Sequence, residues 1–389
     1  MALFDNFFKK PGQSVLGIDI GSSSIKVVQL RKKGGKAVLE TYGEIALGPY
    51  AGIEIGRATN LPNDKIVEAL RDVIKESNAT TKSCGISIAA ASSLLSFIRM
   101  PEMDQKQLAT MIPIEARKYI PVPITEVALD WWVIPKEEKT FSEFEKVPAA
   151  NAQSAAGQGM QQGQGDDPKD KQLEKGIDVL LVVIHNDVLN RLNYISKEAQ
   201  LQATFYEIEI WSSMRSVVDQ TLESIMIFDM GAGSTKLYII ERGVLRACHT
   251  INRGSQEITL SISRSLEVSV GDAEHIKRTI GLSPEPDNKN VKEVVSLNLD
   301  YIFTETNRII GGYERKYSKS ISKVILTGGG SLLKGFLDLA RVKFQTEVVL
   351  GDPFSKTETP AFLEPVLRTA GPEFAVAIGV ALRKLQESD

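Results

Sequence analysis

The chain has 389 residues, of which 42% are hydrophobic and 24% are charged, and its formal net charge is −3. This composition is typical of a soluble globular protein, and the length predicts more than one domain. The slightly acidic balance lacks the basic footprint of a nucleic-acid-binding protein, so no nucleic acid is expected as a partner. The sequence has 2 cysteines and 3 histidines, none at metal-ligand spacing, and it predicts neither a disulfide framework nor a zinc site.

No apolar run is long enough to predict a membrane span, because the longest continuous one, residues 179–184, has the length of a strand. The first ten residues lack the apolar region of a signal peptide. The aromatic and basic stretch at residues 3–10 has two interpretations. We favour a frayed or locally packed terminus over a short segment that contacts a membrane or a partner. We therefore expect a cytoplasmic protein.

The first predicted elements are strands at residues 14–20 and 25–31, joined by a short polar turn. The apolar run of the first strand ends at Asp19, so this carboxylate is expected at a buried strand end. Glycine permits angles that a side chain forbids, small residues let the backbone approach a ligand, and consecutive N–H groups form an anion-binding concavity. A single copy would equally suit an ordinary hairpin. The candidate phosphate ligands of this turn are Gly21, Ser22, Ser23, Ser24 and Lys26.

Short strands then alternate with amphipathic helices up to residue 207. Pro121 and Pro123 are expected to end one of these helices, because proline lacks a donor and disfavours helix in the preceding residue. The predicted strands are 36–46, 84–90, 94–100, 127–134, 179–184 and 203–207, and the predicted helices are 63–77, 104–119 and 186–200.

A compositional break covers about residues 136–176. Its centre, residues 149–170, is rich in Ala, Gln, Gly and Asp and has almost no large apolar side chains. Such a segment cannot bury enough surface to fold, so disorder is predicted. Apolar strands on both sides favour a disordered hairpin tip within one sheet, and a flexible domain linker is the alternative.

The pattern of the first hairpin recurs at residues 225–240, where an apolar strand ends at Asp229 and a small-residue turn leads into a second strand. The duplication predicts two related domains that face one phosphate ligand. Two facing carboxylates suit Mg²⁺, which keeps its own waters and is usually held by one or two carboxylates plus substrate phosphates. Asp19 and Asp229 are thus candidate water-mediated Mg²⁺ ligands. The candidate phosphate ligands of the second turn are Gly231, Gly233, Ser234 and Thr235.

The remainder of the chain is mainly helical. A third glycine turn, residues 327–331, follows a short predicted strand at 324–326. Strand meanders mixed with crossover helices predict an α/β fold. The other predicted elements are helices at 254–265, 273–280, 291–317, 332–343 and 372–385 and a strand at 347–350.

The two hairpins and the glycine turn resemble the actin/Hsp70/sugar-kinase ATPase superfamily. The resemblance implies an actin-like ATPase fold that binds ATP, with the hairpins as phosphate loops and the third turn as the adenosine loop. It also implies that Glu274 and Lys277, one helical turn apart, hold the sugar and flank the adenine, although a surface ion pair shows the same pattern. Glu209, with Glu207 as the alternative, is similar in position to the residue that orients the attacking water, and it joins the two aspartates as a candidate catalytic group. The candidate adenosine-loop residues are Gly328, Gly329, Gly330 and Ser331.

Within the superfamily the chain resembles the FtsA-like branch and, more narrowly, the PilM family of type IV pilus assembly proteins. The stretches that carry this resemblance are residues 17–26, 115–123, 326–331 and 374–383. The extra segment in the first half corresponds to the subdomain inserted in FtsA and PilM, while residues 136–176 depart from both patterns. The implied domains are a first actin-like domain at 1–93, 201–224 and 371–389, an inserted subdomain at 94–200 and a second actin-like domain at 225–370.

The resemblance implies an ATP-binding component of the pilus assembly machine, located in the cytoplasm at the inner face of the inner membrane. Such proteins bind the cytoplasmic N-terminal peptide of the membrane protein PilN and link it to other inner-membrane components and the motor. Contact with the membrane is thus expected only through partners. The segment expected to form the groove contains Arg99, Met100, Arg117, Tyr119 and Ile120, which equally suit ordinary core and surface.

Two other functions of the superfamily stay open. The chain could be a self-associating, filament-forming protein like FtsA, or a small-molecule kinase, which we favour less because no sugar-kinase signature is present. ATP binding needs only the loops, whereas turnover also needs a placed water and a path for product release. Hydrolysis is therefore expected to be weak or absent.

Overall fold

The computed structural model describes residues 14–135, 176–283 and 289–386. Its strands are β1 (Ser14–Ile20), β2 (Ser24–Lys33), β3 (Lys36–Ala46), β4 (Ser83–Ile88), β5 (Ser93–Met100), β6 (Val127–Ile134), β7 (Ile177–His185), β8 (Gln202–Ile208), β9 (Ser224–Met230), β10 (Thr235–Glu241), β11 (Val244–Ile251), β12 (Lys323–Thr327) and β13 (Glu347–Leu350). Its helices are α1 (Asn63–Glu76), α2 (Gln105–Ala116), α3 (Asn186–Glu198), α4 (Glu209–Val217), α5 (Ser255–Leu266), α6 (Val270–Thr279), α7 (Lys289–Tyr317), α8 (Phe336–Phe344), α9 (Glu364–Ala370) and α10 (Ala375–Gln386).

Two five-stranded sheets share one topology. The strand order is β3-β2-β1-β4-β8 in the first sheet and β11-β10-β9-β12-β13 in the second. In each sheet an antiparallel meander of three consecutive strands is extended by two parallel strands. This repetition confirms the predicted α/β fold with two related halves. The domain limits predicted from the sequence remain a proposal.

The hairpins occupy equivalent places in the two sheets. Strands β1 and β9 are central in their sheets and carry apolar side chains that are buried on both faces, as is usual for the interior strands of an α/β sheet. In the first hairpin Asp19 lies opposite Lys26, and in the second Asp229 lies opposite Lys236. Each central strand thus ends in an acid whose cross-strand neighbour is a lysine.

The last helix, α10, closes the core of the first sheet through two very close contacts. A Cβ on Gly17 of β1 would lie 2.0 Å from the carbonyl oxygen of Ala377, and one on Gly379 would lie 1.9 Å from that of Ser212 in α4. Only glycine permits such an approach of two backbones. The helix therefore fixes β1 and α4, which both reach the cleft between the sheets.

The C-terminal segment corrects one expectation. The helical stretch Ala361–Gln386 has the length and, at 1.2, the mean hydropathy of a membrane span, although no such segment was predicted. In the fold 67% of that window is buried. Because α10 packs against the first sheet and α4, its apolar composition is accounted for by the core.

A third, three-stranded sheet of order β5-β7-β6 is inserted between β4 and β8. Strands β6 and β7 pair side by side in antiparallel register, so one sheet continues across the compositional break, as predicted. The intervening residues 136–175, and with them the predicted disorder at 149–170, lie outside the described residues.

Four predicted helix boundaries are wrong by three residues or more. Helix α6 begins at Val270 rather than 273, and α10 begins at Ala375 rather than 372. The other two have a local cause. Helix α2 ends at Ala116, before Pro121 and Pro123, because the chain continues in hydrogen-bonded turns that bury Ile120. The helix predicted from residue 332 begins only at Phe336, since Gly335 has a φ of 79° and breaks the helical path. A short 3₁₀ turn, Gly329–Leu332, lies before it.

Candidate functional site

A cavity of about 650 Å³ lies between the two large sheets. Both hairpin turns, the third glycine turn, α4 and α6 contribute to its walls. The predicted site residues that line it are Asp19, Gly21, Ser22, Ser23, Ser24, Lys26, Glu209, Asp229, Gly231, Gly233, Ser234, Glu274, Lys277, Gly328, Gly329 and Gly330. The structure thus brings together residues that are far apart in the sequence.

Two predicted site residues do not line the cavity. Thr235 is fully buried, and its hydroxyl donates to the carbonyl of Arg253 at 2.8 Å. The Ser331 hydroxyl donates to the carbonyl of Gly328 at 2.7 Å. Both hydroxyls therefore hold the turns in shape, because they are committed to backbone carbonyls next to the cleft.

The two hairpin turns have the same internal geometry. The N–H of Gly21 donates to the carbonyl of Ser24, and the N–H of Gly231 donates to that of Ser234, each at 3.0 Å. The turns face each other, since a Cβ on Gly233 would lie 3.6 Å from the Ser22 hydroxyl. They form opposite walls of one cavity.

Of the two predicted reasons for glycine in the hairpin turns, the unusual backbone angle is wrong. Neither Gly21 nor Gly231 nor Gly233 has a positive φ, so these residues provide space rather than an unusual backbone angle. Gly328 does have a positive φ of 79°, and a Cβ there would lie 2.5 Å from Oδ1 of Asp229. The third glycine turn thus packs directly on the second aspartate.

The acids at the cleft floor repel one another. Burial raises the pKa of Asp19, and the charge of Glu209 raises it further. Burial likewise raises the pKa of Asp229, with Lys236 opposing and Glu209 adding to the shift. The Ser87 hydroxyl donates to Asp19 Oδ1 at 2.7 Å and helps to keep that carboxylate charged. A cation between these groups would relieve the repulsion.

Sequence reasoning identified Lys26 but missed its counterpart Lys236. The Lys236 Nζ donates to Glu209 Oε2 at 2.8 Å and lies 3.5 Å from Asp229 Oδ2. Burial lowers the pKa of Lys236, but the two acids outweigh burial and leave the pKa above its ordinary value. The signal was present in the sequence, because the two lysines hold equivalent positions in the duplicated hairpin.

Of the two glutamates considered for the attacking water, Glu209 lines the cavity and Glu207 does not. Glu209 starts α4, and its second oxygen, Oε1, accepts the N–H of Ala90 at 2.6 Å. Glu207 does not line the cavity; its carboxylate binds Arg215 at 2.8 and 2.9 Å and Arg383 at 3.0 Å. Burial raises the pKa of Glu207, but the two guanidinium groups outweigh burial and hold that pKa low.

Glu274 and Lys277 form a buried ion pair at 2.6 Å, so the alternative of a surface pair is wrong. The Lys277 Nζ donates to Thr259 Oγ1 at 2.9 Å, and that hydroxyl donates to Glu274 Oε2 at 2.7 Å. Arg278, which sequence reasoning missed, donates to Glu274 Oε1 at 2.7 Å and also lines the cavity. One face of α6 thus presents an ordered set of polar groups.

A loop of the first half, residues 52–60, crosses to the second half, which no sequence pattern indicated. A Cβ on Gly56 would lie 2.6 Å from Glu274 Oε2, and the N–H of Ala58 donates to the Gln256 side chain. The N–H of Thr59 donates to the carbonyl of Ser22 at 2.7 Å. The loop therefore joins the first hairpin to α5 and α6.

The residues predicted in the partner groove divide into two groups. Met100 and Ile120 are buried in the core of the inserted subdomain. Arg99, Arg117 and Tyr119 are at its surface. Other large apolar side chains exposed on this subdomain are Leu94, Phe97, Met111 and Ile114.

Comparison with known proteins decides the family. The sequence profile of "Type IV pilus assembly protein PilM" matches residues 17–155 and 167–385. The chain belongs to the PilM family. The predicted membership in the FtsA-like branch is confirmed as well, because FtsA of Pseudomonas aeruginosa is 23% identical over 97% of this chain and 90% of its own length. The chain spans about half the length, 51%, of other FtsA relatives that it matches.

Solved structures agree with the fold of this PilM-family chain. The structure described as the "PilM-PilN type IV pilus biogenesis complex" has a TM-score of 0.75 and 21% identity, covering 96% of this chain and 99% of that one. MreB 5 of Spiroplasma citri bound to AMPPNP has a TM-score of 0.50 and 10% identity, covering 97% and 98%. The actin-like ATPase fold predicted from the hairpins is therefore confirmed.

Proposed function

We propose that this PilM-family chain binds ATP with Mg²⁺ in the cleft and acts as a cytoplasmic component of the type IV pilus machine at the inner membrane. In that role it docks the cytoplasmic tail of PilN and links it to other inner-membrane components and to the motor. One observation carries the nucleotide part of the proposal: two turns closed by the same backbone hydrogen bond face each other across one cavity. Support comes from a structural neighbour with the same fold, MreB 5 of Spiroplasma citri, which is bound to AMPPNP.

The cleft offers different chemistry along its length. At the hairpins, backbone N–H groups, serine hydroxyls and Lys26 can donate to phosphate oxygens. The third glycine turn, Gly328 to Gly330, and the α6 pair of Glu274 and Lys277 line the same cavity and are the proposed contacts of the base and the sugar. The cavity thus offers separate groups for the phosphates and for the nucleoside of a nucleoside triphosphate.

The metal part of the proposal depends on Asp19 and Asp229. In the part of the chain that the structure describes, no group of three or more His, Cys, Asp or Glu side chains could hold a metal ion by itself. Mg²⁺ does not need such a group, because it usually keeps several waters and uses one or two carboxylates plus phosphates. The two buried acids with raised pKa values fit that requirement. When bound, the ion would neutralise phosphate charge.

Weak hydrolysis is expected from the contacts of Glu209. Both of its carboxylate oxygens are already committed, one to the N–H of Ala90 and the other to Lys236. A group that positions an attacking water needs a lone pair directed at that water. A carboxylate keeps further lone pairs after accepting two hydrogen bonds, so Glu209 stays the candidate for orienting a water. The proposed role is nucleotide binding with little turnover, because both oxygens already serve contacts within the protein.

Isothermal titration of the full chain with ATP, with and without Mg²⁺, tests the proposal. We expect binding that weakens by about tenfold or more, equal to about 1.4 kcal/mol, when Mg²⁺ is chelated. Asp19→Asn and Asp229→Asn should abolish that Mg²⁺ dependence, because they remove the carboxylate charge and keep the side-chain shape. Glu76→Gln, an equal charge change at a side chain 76% exposed, is the control.

Two outcomes contradict the nucleotide proposal. The first is the absence of heat from wild-type protein with MgATP. The second is a Mg²⁺ dependence that both aspartate variants retain, because the ion would then be bound elsewhere.

A further inference from the structure

The lysines of the two hairpins hold different partners. Lys26 donates to Ser24 and Glu44, both in its own sheet, at 2.7 Å. Lys236 donates to Glu209 at 2.8 Å, and Glu209 is the first residue of α4, which follows the last strand of the other sheet. Both lysine side chains are similarly buried, 12% and 14% exposed. Lys236 therefore connects the two halves of the molecule, whereas Lys26 does not.

Glu209 extends that connection to the inserted subdomain. Its Oε1 accepts the N–H of Ala90, which opens the short 3₁₀ turn Ala90–Ser92 that runs directly into β5. Two residues after Glu209, the ring of Trp211 packs on that of Trp132 in β6, with centroids 5.6 Å apart. The first turn of α4 thus contacts β6 and the turn that leads into β5, the two outer strands of the three-stranded sheet.

We propose that Lys236 is a second phosphate-binding lysine, and that it signals nucleotide occupancy to the inserted subdomain by exchanging Glu209 for phosphate. This inference rests on the proposed nucleotide binding and concerns the same cleft. Lys236 lines the cavity and lies between two acids, so its Nζ is already within the space that a polyphosphate would share. Phosphate oxygens accept charge-assisted hydrogen bonds as a carboxylate does, so they compete with Glu209 for this ammonium.

The exchange alters one contact and preserves another. When Lys236 donates to phosphate, Glu209 loses its bond to the second half but keeps its bond to Ala90. Helix α4 and the inserted subdomain then stay joined to each other and are released from the second hairpin. A ligand shifts such an equilibrium only by its different affinity for the two arrangements, and the competition for Nζ provides that difference.

Tryptophan fluorescence reports this change because Trp211 lies two residues after Glu209, and indole emission responds to the loss of the nearby Lys236 charge while the ring contact with Trp132 persists. The chain has 3 tryptophans, and two of them, Trp132 and Trp211, form the pair at the α4 contact. We expect saturating MgATP to change the emission of wild-type protein, and Trp211→Phe to remove that change. Trp131→Phe, a substitution in the adjacent residue of β6, should leave it in place.

Two methionine variants separate signalling from binding. Lys236→Met should weaken MgATP binding about ten- to a hundredfold, as expected for one lost charge-assisted bond, and should abolish the emission change at saturation. Lys26→Met removes the same charge from the equivalent position, so it should weaken binding but keep the emission change. Glu209→Gln retains an oxygen for Ala90 and weakens the Lys236 bond, so without nucleotide its emission should already be shifted toward the value with MgATP.

The titrations distinguish failure of the coupling from failure of nucleotide binding. Calorimetric binding without any emission change in wild-type protein overturns the coupling and leaves the proposed function intact. A full emission change in Lys236→Met at saturation also overturns it. No calorimetric binding in wild-type protein overturns both. If Lys236→Met does not fold, Glu209→Gln decides, and unshifted emission in that variant contradicts the proposal.

Discussion

Adjacent glycines in the third glycine turn have different structural roles. Gly328 has a positive φ and packs directly against Asp229. The neighbouring Gly329 has no positive φ, and a Cβ added there would lie 3.4 Å from the flexible end of the Glu373 side chain. The two positions are adjacent in the sequence and have the same residue type. Their structural requirements are nevertheless opposite, because only one of them combines a left-handed backbone with a rigid neighbour.

The same substitution at these two positions should therefore give different results. Gly328→Ala should lower the free energy of unfolding by about 2 kcal/mol or more, through backbone strain and overlap with Asp229, and should also weaken MgATP binding. Gly329→Ala should change the free energy of unfolding by less than about 0.5 kcal/mol. Urea unfolding and calorimetry of both variants measure the effects. Equal destabilisation by the two variants would contradict the prediction that Gly328 is tightly constrained and Gly329 is not.

At the level of elements, α10 and α4 form the support of the cleft. They cross where Gly379 meets the carbonyl of Ser212. The buried carboxylate of Glu207 binds Arg215 and Arg383 and so connects β8, α4 and α10. Glu209 is at the start of α4, so its position depends on this crossing. Sequence periodicity predicted α10 but not α4, and it did not predict the cluster, because an ion pair between distant elements leaves no local pattern.

Two glycine-to-alanine changes inside helices test the crossing. Gly379→Ala places a methyl group against a backbone carbonyl that cannot rotate away, so the free energy of unfolding should fall by about 2–3 kcal/mol. Gly312→Ala in α7 meets nothing within 4 Å, so it should raise the free energy of unfolding by about 0.5–1 kcal/mol through helix propensity alone. Denaturant unfolding of both variants measures the sign and size of each change in the free energy of unfolding. A stabilising Gly379→Ala would mean that the helices do not cross this closely.

At the scale of the whole molecule, duplication made the fold predictable. Two copies of one hairpin predicted two related halves and most of the cleft residues, because strand-end acids and small-residue turns are local features. The Lys236 contact with Glu209 and the loop contact of Gly56 with Glu274 were not predictable, because they depend on how the halves pack. Thr235 and Ser331 lie in the right motifs, but the direction of their hydroxyls depends on the folded turn.

The proposed binding of a PilN peptide would link the inserted subdomain to the cleft. The inserted subdomain exposes Phe97, Met111 and Ile114, and such apolar groups suit capture of a peptide, since a few buried apolar anchors carry most interface energy. Retention of a synthetic peptide of the PilN cytoplasmic tail should be measured on immobilised full chain with MgATP, with MgADP and without nucleotide. We expect retention to differ between MgATP and the other two conditions, because α4 contacts both the cleft and the inserted subdomain.

Matched variants locate the peptide site. Ile114→Ala should weaken peptide retention by about tenfold or more, as expected for a lost anchor, because its side chain is exposed on the inserted subdomain. Leu297→Ala removes an exposed apolar side chain from α7 of the second half, so it should leave retention unchanged. Equal loss in both variants would mean that apolar exposure in general, rather than the inserted subdomain, captures the peptide. Equal retention in all nucleotide conditions would separate partner binding from the cleft, because the contacts of α4 would then transmit nothing.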